Sequence, residues 1–214
     1  MERHPLSVPA PKGGSCRDLL TPIPDLAALH AAFAPGPSPD PERPLSVLFA
    51  DLDRFGEVNR RHGRAAGDHV IAAVATRIDD IVRRADIAFR LSADEFVIAT
   101  HDDCAATDAL ARRLVRAVAE PFDLPGALAP ADGARVEISV SVGTVRSDGV
   151  RSASALEDLV YAAGSTMYIA KDRGPGGIAH RPHDGCRLTG TSRWSGRLPR
   201  FEVEAGPRAD VPGG

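Results

Sequence analysis

The chain has 214 residues and a formal charge of −3, with 43% hydrophobic and 26% charged residues. This length and composition suffice for one sizeable core, so we expect a single folded domain. The balanced charge provides no global attraction to nucleic acid or to an anionic membrane, and we expect neither as a partner. Three scattered cysteines exclude a disulfide framework and a Cys-x-x-Cys metal site.

The sequence contains no apolar run of about 18 residues and no charged-then-apolar amino terminus. We therefore expect a cytoplasmic protein without a membrane span or signal peptide. The composition predicts a disordered N-terminus at residues 1–17, a folded domain at 18–180, and a disordered tail rich in Gly, Pro and Arg at 181–214. The loop at residues 35–44 is also predicted to be disordered.

The predicted elements follow from hydrophobic periodicity. In chain order, the pattern predicts a helix at 23–33, a strand at 45–50, a helix at 67–84, strands at 87–91 and 96–99, a helix at 105–119, a strand at 135–145 and a helix at 156–171. One more helix is expected between the first strand and residue 67. This order predicts an α+β sandwich in which helices flank a central, mainly antiparallel sheet. The long helix carries Val70, Ile71, Val74, Ile78, Ile81 and Val82 at helical spacing, and the first four are expected to form its buried face.

Acidic residues follow the first predicted strand and stand in the turn of the predicted hairpin. Alternate residues of a strand share a face, so Asp51 and Asp53 should point the same way. If the hairpin tip lies beside this strand end, Asp51, Asp94 and Glu95 form a carboxylate cluster. Such hard oxygen ligands suit Mg²⁺ or Mn²⁺ bound to nucleotide phosphates. An ordinary turn or helix cap after a strand would give the same spacing, so both interpretations stand.

Several short sequence blocks occur in a fixed order. They are DLLTPIPD at 18–25, FADLDRF at 49–55 followed by Asn59, Gly63 and Gly67-Asp68, Arg83 with Asp86, SADEF at 92–96, SVSVG at 139–143, and MYIAKDRG at 167–174. In this order they resemble the DxLTGLPN, DxDxFKxxND, RxxD, GGDEF, TxSxG and MYxAKxxG motifs of GGDEF domains, the diguanylate cyclase family. The resemblance covers roughly residues 18–180.

The resemblance implies the nucleotidyl-cyclase palm fold that some polymerases share. In this family each domain binds one GTP, and two domains meet face to face to form cyclic di-GMP, so a homodimer is expected. By resemblance Asp51, the Leu52 carbonyl and Asp94 would hold Mg²⁺ or Mn²⁺ when GTP is bound. Glu95 would act as their supporting carboxylate or as a base, which makes Asp94 and Glu95 the implied catalytic pair.

The resemblance also implies two nucleotide sites. Asn59 and Asp68 match the guanine-reading positions of the substrate site, which Phe55, Ser92, Ala93 and Lys171 would complete. Arg83 and Asp86 match the inhibitory site that binds cyclic di-GMP, where an arginine can fork onto phosphate or onto the Hoogsteen edge of guanine. A helix-terminal Arg followed by a capping Asp would give the same pattern, so this interpretation also stands.

Four departures from the family motifs concern the turn and the phosphate-binding positions. Ser92 and Ala93 replace the two signature glycines, and a two-residue turn with positive φ would cost Ala93 about 1–2 kcal/mol. Gly56 and Pro175 replace a lysine and an arginine that bind phosphate in the family. Lys171 is then the recognisable remaining cation.

Arg54, Arg60 and Arg173 offer partial replacements for those lost cations. The departures favour a degenerate GGDEF domain that binds cyclic di-GMP, GTP or both as a sensor, with weak or no turnover. Such a sensor would act on a protein partner that the sequence does not identify. The intact acidic pair instead favours an active diguanylate cyclase. An interaction module that has lost both ligands is the third alternative.

Overall fold

The structure, a computed structural model, describes residues 18–24, 44–128, 134–147 and 153–181. The elements are β1 (Leu45–Leu52), α1 (Phe55–His62), α2 (Arg64–Ile81), β2 (Ile87–Arg90), β3 (Glu95–Thr100), α3 (Cys104–Ala119), β4 (Phe122–Leu124), β5 (Ala134–Val136), β6 (Val140–Ser147), α4 (Ala153–Asp172) and β7 (Ile178–Arg181). Within these segments no helix is long and apolar enough to cross a bilayer.

The central sheet has five strands in the order β2-β3-β1-β6-β7. All neighbouring pairs are antiparallel except β6 and β7, which run parallel. Helices α2 and α3 pack on one face of this sheet and α4 packs on the other. The predicted α+β architecture with a central, mainly antiparallel sheet is therefore confirmed.

Strand β1 is buried along its whole length, because it lies in the middle of the sheet between two hydrophobic cores. Leu48 and Ala50 face the core formed with α2 and α3, whereas Val47 and Phe49 face the core beneath α4. Strands covered on both faces read as continuous apolar runs, which is why this one was predictable. Asp51 lies near the carboxyl end of this strand, at the margin of the two cores.

Helix α2 buries the face that the periodicity predicts. Val70, Ile71, Val74 and Ile78 are buried in the core against the sheet, and Ile81 and Val82 pack partly buried at its margin.

The single strand predicted at 135–145 is wrong. The chain forms β5, which pairs with β4 in a separate two-stranded ribbon, then an irregular stretch at 137–139, and then β6 of the central sheet. Val136, Ile138, Val140 and Val142 are all buried in the same core. Their alternation therefore runs through the break, and periodicity alone cannot detect it.

The predictions for both ends of the domain can be compared with the structure in part. Strand β7 was not predicted because it has four residues, of which Ala179 alone is buried, and its Arg181 falls in the predicted tail. Ile23 and Pro24 are not helical, since the Pro24 carbonyl accepts a hydrogen bond from Arg90 N at 3.0 Å. The rest of that predicted helix, the disordered segments at 1–17 and 182–214, and the loop at 35–43 lie outside the described residues.

Candidate functional site

The carboxyl end of β1 lies beside the hairpin turn that joins β2 to β3. Asp51 is paired across the sheet with Glu95 of β3 on one side and with Ser141 of β6 on the other. Leu52 N donates to the Asp94 carbonyl at 3.1 Å, which fixes the turn against the strand end. The fold thereby brings Asp51, Asp94 and Glu95 to one place.

Asp51 is the most buried of these acids, at 8% exposed. Burial raises the pKa of Asp51 to about 6, Lys171 opposes that rise, and the charges of Asp94 and Glu95 add to it. The Lys171 ammonium donates to Asp51 Oδ1 at 2.5 Å. Burial also raises the pKa of Asp94, against the lowering effects of Lys171 and Arg90. These carboxylates repel one another and need a compensating cation.

The donor set at this strand end has the chemistry of a hard-cation site. Two carboxylates, the backbone carbonyl of Leu52 and the supporting Glu95 are all oxygen donors of the kind that Mg²⁺ and Mn²⁺ prefer. In the part of the chain that the structure describes, however, no three His, Cys, Asp or Glu side chains converge closely enough to hold a metal ion. The Lys171 ammonium lies against Asp51 and offsets part of its negative charge.

The signature turn is wider than the two-residue turn expected from the sequence. Leu91 N donates to the Glu95 carbonyl at 2.9 Å, so three residues, Ser92 to Asp94, form the bend. Arg54 is the single non-glycine residue with a positive φ among the described residues, so Ala93 is not strained in the way the sequence suggested. The Ser92 hydroxyl donates to Glu95 Oε2 at 2.5 Å, a bond that glycine cannot make.

Arg90 holds this turn from outside. Its Nε and Nη2 donate to the carbonyls of Ser92 and Ala93, each at 2.8 Å, and its Nη1 contacts both oxygens of Asp18 at 3.0 and 3.2 Å. Asp18 also accepts hydrogen bonds from the backbone and hydroxyl of Thr21. The sequence-based prediction omits this Asp18–Arg90 pair, although Asp18 opens the first motif block and Arg90 precedes the signature by two residues.

Asp53 has a structural role in the arrangement. Its carboxylate accepts hydrogen bonds from Ser139 Oγ at 2.6 Å, Ser141 Oγ at 2.7 Å and Gly176 N at 2.8 Å. These bonds tie the end of β1 to β6 and to the loop before β7. Asp53 therefore fixes the backbone around the site, whereas Asp51 faces the acidic cluster.

Two candidates for the substrate site, Phe55 and Asn59 of α1, lie against Gly67 of α2. A Cβ atom at Gly67 would lie 1.9 Å from Asn59 Oδ1 and 3.2 Å from Phe55 Cζ, so glycine is required for this close approach. Asp68 follows directly and exposes its carboxylate to solvent. Phe55 and Asn59 therefore lie close to Gly67, and Phe55 is buried.

Gly56 and Pro175, which stand at the positions of the two replaced cations, both have free space around them. A Cβ atom at Gly56 would have no neighbour within 4 Å, and Pro175 is exposed between Gly174 and Gly176, which both have positive φ. Arg54 is exposed in a left-handed conformation, with φ of 56°, at the start of α1.

Arg83 and Asp86 form the turn between α2 and β2. Asp86 Oδ2 accepts from Arg83 N at 2.9 Å, and Asp86 N donates to the Arg83 carbonyl at 2.9 Å. The guanidinium of Arg83 points elsewhere, since its Nη1 contacts both oxygens of Asp102 at 3.0 and 3.1 Å. Sequence reasoning did not find Asp102, because no motif includes it.

Comparisons with known proteins point to one family. The family model described as diguanylate cyclase, GGDEF domain, matches residues 15–176. Diguanylate cyclase TpbB of Pseudomonas aeruginosa is 35% identical over 134 residues, which are 62% of this chain and 29% of TpbB. Diguanylate cyclase DosC of Escherichia coli is 32% identical over 131 residues, which are 61% of this chain and 27% of DosC. The chain thus spans less than a third of the length of these relatives.

Solved structures agree with these matches. The isolated GGDEF domain of TpbB from Pseudomonas aeruginosa has a TM-score of 0.58 at 31% identity, over 76% of this chain and 92% of that one. The GGDEF domain of DgcB from Caulobacter crescentus, solved in complex with c-di-GMP, has a TM-score of 0.62 at 18% identity, over 79% and 97% of the two chains. The second likeness is one of fold.

Proposed function

Because this chain belongs to the GGDEF domain family of cyclic di-GMP signalling, we propose that it binds cyclic di-GMP, GTP or both as a sensor. We further propose that it converts GTP to cyclic di-GMP weakly or not at all. Its relatives include diguanylate cyclases, so the difference lies in the residues that this chain has replaced. Those replacements are concentrated where the phosphates of GTP would lie.

The observation that carries the proposal is the bond between Lys171 and Asp51. Lys171 is the recognisable phosphate-binding cation that remains, and its ammonium is already paired with a buried carboxylate. Gly56 and Pro175 provide no charge at the other two positions. Loss of one preorganised donor to developing charge typically lowers turnover by about 10²–10³, so two losses predict about 10⁴ or more.

Nucleotide binding has separate support. We propose that Asp51, Asp94 and the Leu52 carbonyl, supported by Glu95, would hold Mg²⁺ or Mn²⁺ when GTP binds, and the metal would supply charge stabilisation for the phosphates. Asp68 is exposed, and a carboxylate at this position could accept both the N1–H and the N2–H of guanine. A domain that keeps these groups can bind nucleotide without turning it over.

One observation favours an active diguanylate cyclase as a second candidate. The bend from Ser92 to Asp94 closes without a positive φ at Ala93, so the missing glycines impose no backbone strain there. Arg54 and Arg173 are also exposed and would have to replace the absent cations. This candidate therefore depends on arginines outside the family's cation positions.

Calorimetry on the purified chain tests the proposal. We expect cyclic di-GMP to bind without added metal, and Arg83→Ala to weaken that binding by about 1.5–3 kcal/mol, or one to two decades in affinity. Arg84→Ala removes the same charge from the neighbouring exposed residue and serves as the matched control. Asp94→Ala should leave this binding unchanged and abolish metal-dependent GTP binding.

The pattern of sensitivities separates the alternatives. If Asp94→Ala weakened cyclic di-GMP binding and Arg83→Ala did not, the ligand would lie in the substrate site. If neither nucleotide bound, the sensor proposal would fail and the interaction module would be favoured.

A further inference from the structure

The carboxylate of Asp102 forms an ion pair with the guanidinium of Arg83. The Arg83 side chain is 55% exposed, whereas the Asp102 side chain is 15% exposed, and one arginine nitrogen contacts both carboxylate oxygens at 3.0 and 3.1 Å. Asp86, the partner that the motif suggests, binds the Arg83 backbone and leaves the guanidinium free for Asp102. The charged end of Arg83 is therefore already paired before any anion arrives.

Asp102 is fixed from several sides. Its backbone N–H donates to Thr100 Oγ1 at 3.2 Å, and its carbonyl accepts from Arg146 Nη1 at 2.5 Å and Ser46 Oγ at 3.3 Å. These contacts come from β3, β6 and β1, so three strands of the sheet hold the aspartate in place. Arg83, on an exposed turn, is the partner that can change its conformation at lower cost.

We propose that Asp102 is an internal competitor that pairs with Arg83 and thereby lowers the affinity of the Arg83–Asp86 turn for a guanine dinucleotide. A phosphate that binds Arg83 must replace the Asp102 carboxylate or share the guanidinium with it. It also brings negative charge towards a fixed negative charge, which further opposes binding. This inference rests on the proposed function, because it assigns the regulation of the same site.

Removal of the competing charge tests the inference. On the full chain, calorimetry with cyclic di-GMP and no metal should give Asp102→Asn a two- to fivefold tighter affinity than wild type, which is about the range for a partly exposed ion pair. Asparagine retains the backbone contacts and the shape of the side chain. Asp80→Asn removes the same charge from the exposed end of α2 and should leave the affinity unchanged.

A second background makes the test specific to Arg83. In Arg83→Ala, the added substitution Asp102→Asn should not change the remaining affinity, because its effect acts through the missing guanidinium. Thermal melting confirms folding of each variant, and Asp102→Ser provides a second substitution if Asp102→Asn does not fold.

The outcomes keep this inference separate from the proposed function. If wild type binds and Asp102→Asn binds equally or more weakly, the competitor role is overturned while the proposed binding stands. If no variant binds cyclic di-GMP, the competitor role is overturned, and the proposed function is overturned as well only if GTP also fails to bind.

Discussion

At the scale of single residues, the pKa of Asp51 is set by burial, by two acidic neighbours and by one lysine. Its pKa of about 6 lies above the ordinary 3.8, so the folded protein takes up a proton more readily than the unfolded chain. The protonated acid is then neutral in a buried setting, and the Lys171 bond offsets only part of the penalty for charging it. At neutral pH the ionised Asp51 carboxylate therefore lowers the free energy of unfolding.

This raised pKa predicts a pH-dependent loss of stability in metal-free protein. Between about pH 4 and 6 the folded state binds more protons, so the contribution of Asp51 is fully present below the unfolded pKa and is lost as pH rises through about 6. Wild type should lose on the order of 1–3 kcal/mol of unfolding free energy relative to Asp51→Asn between pH 4 and 7. Urea denaturation at each pH measures this difference.

Asp79→Asn is the matched control, because Asp79 is exposed on α2. Its stability should follow wild type across the same pH range. Parallel curves for wild type and Asp51→Asn would mean that Asp51 titrates normally and that burial at the strand end is less severe than its contacts indicate.

At the scale of elements, α2 is the helix on which the core depends most clearly. Val74 is fully buried, so Val74→Asp places an unpaired charge in the core and should destabilise the domain by more than about 3 kcal/mol. Thr76→Asp places the same charge on an exposed position two residues away and should retain a cooperative thermal transition near that of wild type. Equal melting of the two variants would mean that the buried face is wrongly assigned.

Local pattern predicted those elements whose burial is regular along the chain. The face of α2 and the run of β1 follow directly from helical periodicity and from a continuous apolar stretch. The break between β5 and β6 did not, because Val136, Ile138 and Val140 keep one alternation across two sheets. Strand β7 depends on its parallel partner β6, and a four-residue edge strand has no pattern of its own.

The candidate site also contains some contacts that the sequence predicted and others that it did not. Asp51, Asp94 and Glu95 were predicted as neighbours because a strand end and a hairpin turn place them there. The Arg90 contact to Asp18 and the Arg83 contact to Asp102 join residues that are 72 and 19 positions apart, and only the folded chain brings them together. The strain expected at Ala93 was wrong, since it assumed a two-residue turn where the chain makes a wider one.

At the scale of the whole molecule, the family resemblance implies that a GGDEF domain provides half of a catalytic site, so turnover would require a second copy as well as the correct side chains. The chain spans 29% of TpbB, and we propose no activity of the remaining parts of that relative for it. Dimerisation and chemistry would be separate requirements, and the resemblance assigns the replaced cations to phosphate binding.

Restoring the family residues tests whether the missing cations limit turnover. Ser92→Gly, Ala93→Gly, Gly56→Lys and Pro175→Arg together should raise cyclic di-GMP formation, since Gly56 has open space around it and Pro175 is exposed. The matched control carries the same two glycines with Gly56→Gln and Pro175→Gln, which add length without charge. Equal activity of the two combinations would mean that the missing cations do not limit turnover.

The most direct test is therefore the turnover of the unmodified chain. Purified protein is mixed with GTP and Mn²⁺, and cyclic di-GMP is measured by chromatography over time and over protein concentration. The account predicts product near the level of a protein-free sample, because Lys171 is paired with Asp51 and two phosphate cations are missing. Robust synthesis by the wild type that disappears in Asp94→Ala would contradict it.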